Sequence, residues 1–144
     1  MEHLKTNITL DFLRISNILS RTGAKMVADV GLTSIQQWVI LRTLIEKEEI
    51  SIGELKEETL VTKQNMTGMI NRLQQANLVT LFTDPEDKRR TRVRITDEGR
   101  QVYETLSSSR NEFNSKSYSI YSEQEILVLS DLLSRLVEHL KEDT

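Results

Sequence analysis

The sequence contains no cysteine, one proline and only five glycines in 144 residues. The absence of cysteine excludes disulfides, thiolate metal sites, thiol nucleophiles and thiol-based redox sensing within this sequence. The scarcity of proline and glycine leaves little loop-forming material and favours long helices. No apolar run approaches the roughly 18 residues that a transmembrane helix needs, and the first ten residues lack the basic-then-apolar pattern of a secretory signal. We therefore expect a cytoplasmic protein without membrane contact.

The length and composition indicate one folded domain. The chain has the usual size of about 100–200 residues per domain, and 38% of its residues are apolar while 28% are charged. Its net charge of −3 is unevenly distributed. Residues 62–94 carry seven basic and three acidic side chains, whereas the remainder carries twelve basic and nineteen acidic ones. This basic middle favours a phosphate-binding surface, with a solvated charged hairpin as the alternative.

Two terminal segments have the periodicity of amphipathic helices. The first covers roughly residues 5–29, about 36 Å at the helical rise, and Gly31 ends it. Its apolar positions are Ile8, Phe12, Ile15, Leu19 and Met26. The last has an a/d seam of Ile126, Leu129, Leu133, Leu136 and Leu140, widened by Leu132 and Val137. Both helices offer more apolar surface than one small domain covers, so we expect two copies to pair about a two-fold axis. An intramolecular helical hairpin is the alternative.

Capping residues predict where the other helices begin. A Ser or Thr followed three residues later by Gln or Glu occurs as Thr33–Gln36, Ser51–Glu54 and Ser122–Glu125, and Thr62 and Thr96 are further N-cap candidates. The helix after Thr96 is expected to continue through Val102, Leu106 and Phe113.

Two short helices, at about residues 52–58 and 63–76, have the lengths and the connection of a helix-turn-helix. The second helix is two-sided. Its apolar residues Met66, Met69, Ile70 and Leu73 would pack inward, and Lys63, Gln64, Asn65, Thr67, Gly68 and Asn71 would lie outward. The outward face has no acidic residue to repel phosphate. An amphipathic core helix whose polar face meets water is the alternative for this segment alone.

A β-hairpin is predicted directly after this helix. Residues 78–83 are β-prone, residues 91–95 alternate arginine with β-branched side chains, and residues 84–87 supply turn chemistry between them. A helix-turn-helix followed by such a hairpin is a winged helix. The predicted fold class is therefore mainly α with a small β-wing, a winged helix-turn-helix domain accompanied by N- and C-terminal helices.

The polar residues of these two elements suit duplex DNA. Gln64, Asn65, Thr67 and Asn71 would contact base edges in the major groove, where Gly68 lets the backbone approach closely. Phosphate would be bound by Thr62, Lys63, Arg72 and Lys88. Arg89 and Arg90 at the wing tip would enter the minor groove. Asp87 would hold the Arg89 guanidinium by a charge-assisted bond and keep the tip ordered.

The chain resembles the MarR family of bacterial winged-helix transcription regulators from about Leu32 to Gly99. The most specific part is DPEDKRRTRVRITDEG at residues 84–99, which resembles the family's Asp-x-Arg wing signature followed by a strand and a Leu-Thr-x-x-Gly-like helix start. Leu32-Thr33, Gln37-Trp38 and Leu41 match the start of the family's second helix. Asn77 replaces a common glycine and Ile95 a leucine; asparagine tolerates the left-handed conformation, so the turn should survive.

The resemblance implies an obligate homodimer that binds a pseudo-palindromic operator, usually as a repressor released by a small ligand. It further implies that residues 1–144 form a single MarR-like domain, with dimerisation helices at 1–31 and 97–144 and the winged helix-turn-helix at 32–96. Two recognition helices about 34 Å apart would then read two half-sites.

The sequence offers only weak signals for metal, catalytic or small-molecule sites. His3 and His139 could bind zinc with nearby acids, but they lack ligand spacing and are expected to be surface residues, so no metal or cofactor is predicted. No catalytic triad, carboxylate pair or glycine-rich phosphate loop can be assembled, so no enzyme is expected. A small-molecule pocket where the terminal helices meet the winged helix would be lined by Phe12, Ile15, Trp38 and Phe113.

The same sequence features are compatible with two other functions. A winged-helix module could bind a protein partner and never contact DNA. A metal- or ligand-responsive dimer could bind DNA only secondarily.

Overall fold

A computed structural model describes residues 1–59, 61 and 63–143. Its elements are α1 (Glu2–Ala28), α2 (Ile35–Lys47), β1 (Glu49–Ser51), α3 (Ile52–Thr59), α4 (Lys63–Gln75), β2 (Val79–Thr83), β3 (Thr91–Ile95), α5 (Asp97–Thr105), α6 (Ser107–Ser117) and α7 (Glu123–Glu142). The predicted fold class, mainly α with a small β-wing, is confirmed. The chain divides into two compact units, Met1–Ser107 and Ser108–Thr144. The finer division into dimerisation segments and a winged helix stays a prediction.

Helix α1 ends where the sequence indicates. Gly31 has a φ of +81°, and the backbone N–H groups of Gly31 and Leu32 donate to the carbonyl oxygens of Ala28 (3.0 Å) and Val27 (3.2 Å). Glycine adopts this left-handed conformation without strain, so the chain turns sharply after the helix. The turn brings the next segment back toward the end of α1, where Val27 is buried in the core.

The predicted cap of α2 is wrong by one residue. The N-cap is Ser34, whose Oγ accepts a hydrogen bond from the N–H of Gln37 (3.4 Å), while Gln37 Oε1 accepts one from the N–H of Thr33 (2.7 Å). Thr33–Gln36 and Ser34–Gln37 offer the same spacing, so local chemistry permits both registers. The structure has the second register, in which the buried side chain of Gln37 accepts the hydrogen bond from the Thr33 N–H.

Three other predicted caps are confirmed. Ser51 N–H donates to Glu54 Oε2 (3.0 Å), and Glu54 N–H donates to Ser51 Oγ (3.1 Å). The reciprocal pair between Ser122 and Glu125 has distances of 2.8 and 3.3 Å. Thr96 Oγ1 accepts from the N–H of Gly99 at 3.0 Å. The predicted cap Thr62 lies outside the described residues.

The hairpin has the predicted strands, but a third strand was not predicted. Strands β2 and β3 pair antiparallel with Leu81 opposite Val93, and β1 pairs with the other edge of β3 with Ile50 opposite Val93. The sheet order is therefore β1-β3-β2. Three residues are too few to show a period of two, so only the pairing identifies β1 as a strand. Glu48, just before it, has an unusual φ of +60°.

The single helix predicted after Thr96 is also wrong. The structure has two helices, α5 and α6, which are separated at Leu106. Leu106 is buried in the core, and three serines follow it directly. Serine hydroxyls compete for backbone hydrogen bonds and favour helix ends, which accounts for the break.

The core is formed by the buried residues Val27, Leu32, Ile40, Leu41, Leu44, Ile50, Leu55, Met66, Ile70, Leu73, Leu78, Val79, Val93, Ile95 and Leu106. Most of them belong to the helix-turn-helix and the sheet, so this core holds α4 and the β2–β3 hairpin together. At Asn77 the backbone turns with a φ of +64°, as expected of an asparagine in the left-handed region. Gly99 then packs so closely that a Cβ there would lie 2.2 Å from the Leu78 carbonyl oxygen.

Candidate nucleic-acid interface

Helix α4 is held by its apolar face. Met66, Ile70 and Leu73 are buried, and Met69 packs partly against the same core. These four positions confirm the predicted inward face. Because they fix the rotation of the helix about its axis, the polar residues between them point away from the core.

The outward face of α4 carries the residues that were assigned to the major groove. Gln64, Asn65, Thr67 and Asn71 are exposed, and within the described part of the chain no atom outside the neighbouring backbone of α4 lies within 4 Å of where a Cβ on Gly68 would be. Arg72 is exposed as well. Thr62 and the side chain of Lys63 lie outside what the structure describes. The exposure meets the geometric condition for base contacts, but the contacts themselves stay a prediction.

The wing tip is closed by backbone hydrogen bonds. Asp84 N–H donates to the carbonyl oxygen of Arg90 (3.0 Å), and Arg90 N–H donates to that of Asp87 (2.9 Å). Asp84 Oδ1 accepts from the N–H of Glu86 at 2.9 Å. The loop is therefore a compact turn in which Lys88, Arg89 and Arg90 are all exposed.

The predicted contact between Asp87 and Arg89 is present. Arg89 Nε and Nη2 donate to the two carboxylate oxygens of Asp87 at 3.1 and 3.3 Å, and Arg89 N–H donates to Oδ1 at 3.1 Å. The hydrogen bonds from Arg89 lower the pKa of Asp87, so this carboxylate stays charged. The Arg89 side chain nevertheless remains 91% exposed. It is oriented by Asp87 and still accessible to a ligand.

The recognition helix and the wing open onto one concave surface. A cavity of about 550 Å³ is lined by Thr67 of α4, by Arg89, Arg90 and Thr91 of the wing, and by Ser51, Ile52, Gly53, Glu54 and Glu57 at the start of α3. The structure thus brings together residues that the sequence assigned to the major and minor grooves. We call this surface the interface cavity.

Two acidic residues of this cavity were missed. The recognition helix itself has no acid on its outward face, but Glu54 and Glu57 of α3 line the cavity beside Arg89 and Arg90. The absence of acids that was noted for the outward face of α4 therefore does not extend to the whole cavity. Hydrogen bonds from Ser51 lower the pKa of Glu54, so it carries a negative charge there. Only the tertiary packing of α3 against the wing reveals this.

An ion-pair cluster at the base of the wing was also missed. Arg92 Nη1 lies 3.4 Å from Asp84 Oδ2, Arg92 Nη2 donates to the carbonyl oxygen of Glu49 (3.3 Å), and Arg92 Nε lies 3.8 Å from Glu49 Oε1. Arg94 Nε donates to Glu49 Oε2 at 3.1 Å, and the Arg94 guanidinium stands 5.0 Å from the centre of the Phe82 ring. Glu49 lies more than forty residues before Arg92 and Arg94 in the sequence, so no local pattern predicts this cluster.

The predicted effector residues lie in different settings. Phe12 and Ile15 are exposed on α1. Trp38 packs against the core, and its ring stacks on that of Tyr103 with centroids 5.9 Å apart. Phe113 belongs to the second unit and is half-buried. These settings leave the effector pocket a prediction.

The two histidines have only local polar neighbours among the described residues. His3 Nδ1 lies 3.4 Å from Asn7 Nδ2, and His139 Nε2 lies 3.8 Å from Asp143 Oδ2. Within residues 1–59, 61 and 63–143, no group of three or more His, Asp or Glu side chains is arranged to hold a metal ion. In the same part of the chain, no helix combines the length and apolarity that a membrane span requires.

Comparison with known proteins agrees with this geometry. Residues 33–91, which cover the helix-turn-helix and most of the wing, match the model of the MarR family. The chain is 29% identical over 103 residues to the HTH-type transcriptional regulator FarR of Neisseria gonorrhoeae, covering 72% of this chain and 70% of FarR. It is 35% identical over 98 residues to the transcriptional activatory protein BadR of Rhodopseudomonas palustris, covering 66% of this chain and 55% of BadR.

A solved structure extends the similarity to most of the chain. The crystal structure of NadR in complex with 4-hydroxyphenylacetate superimposes with a TM-score of 0.77 at 26% identity, covering 90% of this chain and 91% of NadR. The fold similarity therefore includes regions beyond residues 33–91.

Proposed function

The chain belongs to the MarR family of transcriptional regulators and carries a winged helix of the DNA-binding type, and on that premise we propose that it binds a pseudo-palindromic operator as a homodimer. The observation that carries the proposal is the interface cavity, where Thr67 of the recognition helix and Arg89 and Arg90 of the wing line one concave surface. A surface of this kind can contact adjacent grooves of one duplex. The proposed activity is binding, without catalysis.

We assign three kinds of contact. Gln64, Asn65, Thr67 and Asn71 read base edges, with Gly68 allowing close approach. Thr62, Lys63, Arg72 and Lys88 bind phosphate and fix the register of the protein on the duplex. Arg89 and Arg90 enter the minor groove, which attracts arginine where it is narrow.

The dimer is supported by the terminal helices. All of the first nineteen residues are exposed, and Leu4, Ile8 and Ile15 are more than half exposed. In α7, none of the residues is buried. Apolar helix faces of this extent are typical of surfaces that associate, and a two-fold dimer would bury them and place two recognition helices on successive turns of DNA.

We propose repression as the direction of control and a small molecule as the release signal. Repression needs only occupancy of the operator, whereas activation needs a further productive contact with the transcription machinery. BadR is named as an activatory protein, so transcription in vitro with and without the protein is the deciding measurement. Stimulation of transcription would contradict repression.

NadR is described with 4-hydroxyphenylacetate, so this compound is the first probe for release of the operator. Fluorescence anisotropy of labelled operator DNA measures whether the compound releases the protein.

Selection of bound duplexes from a random pool tests the operator proposal. We expect an enriched sequence with two similar half-sites related by a two-fold axis, about one helical turn apart. Enrichment of a single asymmetric half-site would contradict the dimeric mode. Retention on duplex DNA that does not vary with salt, or no retention, would contradict DNA binding and favour a protein-interaction module.

Arg89→Ala tests the wing. Loss of its groove contact should weaken operator binding by about 1–3 kcal/mol, with the folding stability almost unchanged because the side chain is exposed. Arg42→Ala is the matched control, since Arg42 is also an exposed arginine paired with a carboxylate, Glu46 at 3.1 Å, and does not line the interface cavity. Equal affinities of the wild type and Arg89→Ala would count against the wing assignment.

Lys63→Ala tests the phosphate assignment. It should weaken binding to all sequences alike and reduce the slope of log K against log salt by about one, because one counterion fewer is released. Loss of discrimination at a single base pair would show that Lys63 reads a base.

A further inference from the structure

We propose that Glu49, Arg92 and Asp84 form a positioning cluster that fixes the wing relative to the helix-turn-helix and so places Arg89 and Arg90 for DNA. This inference rests on the DNA-binding function proposed above. None of the three residues is assigned a contact with DNA, and they act through the two wing arginines.

The Arg92 side chain is mostly shielded from solvent and binds other residues of the protein. It is 22% exposed, in contrast to the 91% of Arg89. Its guanidinium faces an oxygen of Asp84 on one side and the carbonyl and carboxylate oxygens of Glu49 on the other. A planar guanidinium with several donors in fixed directions can join two partners in this way. Arg92 therefore adds to the basic charge of the wing while its Nη1 and Nη2 groups donate to Asp84 and Glu49. Its buried Nε has no hydrogen-bond partner among the described residues.

Each partner of Arg92 belongs to a different part of the winged helix. Asp84 stands at the start of the tip loop, is 7% exposed, and donates its backbone N–H to the carbonyl oxygen of Arg90. Glu49 begins β1, which runs directly into α3 and its Ser51–Glu54 cap. Arg92 consequently links the loop that carries Arg90 to the strand that leads into the helix-turn-helix.

Glu49 also meets the second arginine of the strand. Arg94 donates to Glu49 Oε2 through Nε and Nη2, so one carboxylate joins two residues of β3. The backbone before it has a positive φ at Glu48, an uncommon conformation for a residue other than glycine. Such conformations persist where the surrounding structure holds the chain, and the next residue, Glu49, is held by its contacts with Arg92 and Arg94.

Arg92→Lys is the central experiment, because it keeps the charge and removes the planar fork. Operator affinity should fall about tenfold, within the range for groups coupled through a shared network, while the slope of log K against log salt stays unchanged. In the Arg89→Ala/Arg90→Ala background the same substitution should cause no further loss, because the residues that it positions are gone. Thermal unfolding followed by circular dichroism verifies that each variant is folded.

Glu49→Gln is a second test, because the loss of charge and the loss of positioning should change the DNA affinity in opposite directions. Removal of a negative charge near DNA would by itself tighten binding, whereas loss of positioning weakens it. We expect weaker operator binding, and Glu46→Gln on α2 is the control for the charge change. Tighter operator binding by Glu49→Gln would overturn the positioning role.

The remaining outcomes separate this inference from the proposed function. Equal losses from Arg92→Lys in the wild-type and Arg89→Ala/Arg90→Ala backgrounds would overturn it, because the substitution would then act on the whole fold. No loss from Arg92→Lys, with a clear loss from Arg89→Ala, would overturn it and leave the DNA-binding proposal standing. A wild-type protein without operator binding would overturn both.

Discussion

The winged helix and the terminal helices use apolar residues in opposite ways. In α2, Leu41 and Leu44 are completely buried, whereas in α7 Leu127 and Leu132 are 65% and 52% exposed. The hydrophobic side chains of the winged helix are thus covered by its own chain, whereas those of α7 and of α1 before its last turns are largely exposed. The winged helix therefore forms its own packed core, and the exposed apolar residues of the terminal helices are the surfaces that the proposed dimer would bury.

A matched pair of leucine truncations tests the contrast directly. Leu44→Ala should lower the free energy of unfolding by about 2–5 kcal/mol, because it leaves a cavity in a packed core. Leu127→Ala should change it by less than about 0.5 kcal/mol, because that side chain is mostly in water and lies outside the a/d seam that the proposed dimer would bury. Urea denaturation of both variants measures the difference. Similar losses in the two variants would mean that α7 is covered in solution on all sides.

An aspartate on the apolar face of α7 tests association. Leu132→Asp would place an unpaired charge in the proposed dimer interface and should raise the dimer dissociation constant by roughly 100-fold, or about 3 kcal/mol. Sedimentation equilibrium measures the constant. Ser134→Asp, on the opposite side of the same helix, is the control and should leave it unchanged. If both variants remain equally dimeric, another surface holds the two copies together.

The two regions share one local motif, the serine–glutamate capping box, in different surroundings. Ser51→Ala should cost about 1–2 kcal/mol of unfolding free energy, because Ser51 is buried and its loss leaves the Glu54 N–H without that acceptor. Ser122→Ala should cost less, since water can replace the hydroxyl at the exposed start of α7. Denaturant midpoints at neutral pH compare the variants; a larger cost at Ser122 would contradict the role of burial.

The same motif predicts a pH dependence. Hydrogen bonds from Ser51 and Ser122 lower the pKa values of Glu54 and Glu125 below the ordinary 4.5. A carboxyl group whose pKa is lower in the folded state stabilises the protein above its unfolded pKa, and this stabilisation is lost as the pH falls through the folded pKa. Ser51→Ala keeps the backbone hydrogen bond to Glu54, the larger cause of the lowered pKa, and removes the side-chain one. Acid titration of this variant should therefore show a slightly smaller loss of stability below pH 4.5 than titration of the wild type. Parallel curves would contradict the link.

The smallest effect is expected from the acids in the interface cavity. Glu57→Gln removes a negative charge beside Arg89 and Arg90 and should tighten binding to any duplex by about two- to fivefold, the size of one weakly screened charge interaction. Glu58→Gln is the control, since Glu58 lies on the same helix 4.0 Å from Lys47 and does not line the cavity. Equal gains in both variants would show that net charge alone is responsible.

The sequence predicted most elements because their signals are local. Alternating side chains and the turn at residues 84–87 gave β2 and β3, and capping chemistry located the starts of α3, α5 and α7. The contact between Asp87 and Arg89 was also predictable, since only one residue separates them. Where two local registers were equivalent, as at Thr33 and Ser34, sequence reasoning selected the wrong one.

What the amino-acid order determined by itself is the inward face of α4, the basic wing tip and the apolar surplus of the terminal helices, since periodicity and neighbouring charges act over a few residues. What only the tertiary structure decided is which distant residues meet. Contacts between distant segments form strand β1, bring the acids into the interface cavity and join Glu49 to β3. Glu49 and Arg92, for example, are 43 residues apart in the sequence. Such contacts form through packing of the whole core, and no local pattern encodes them.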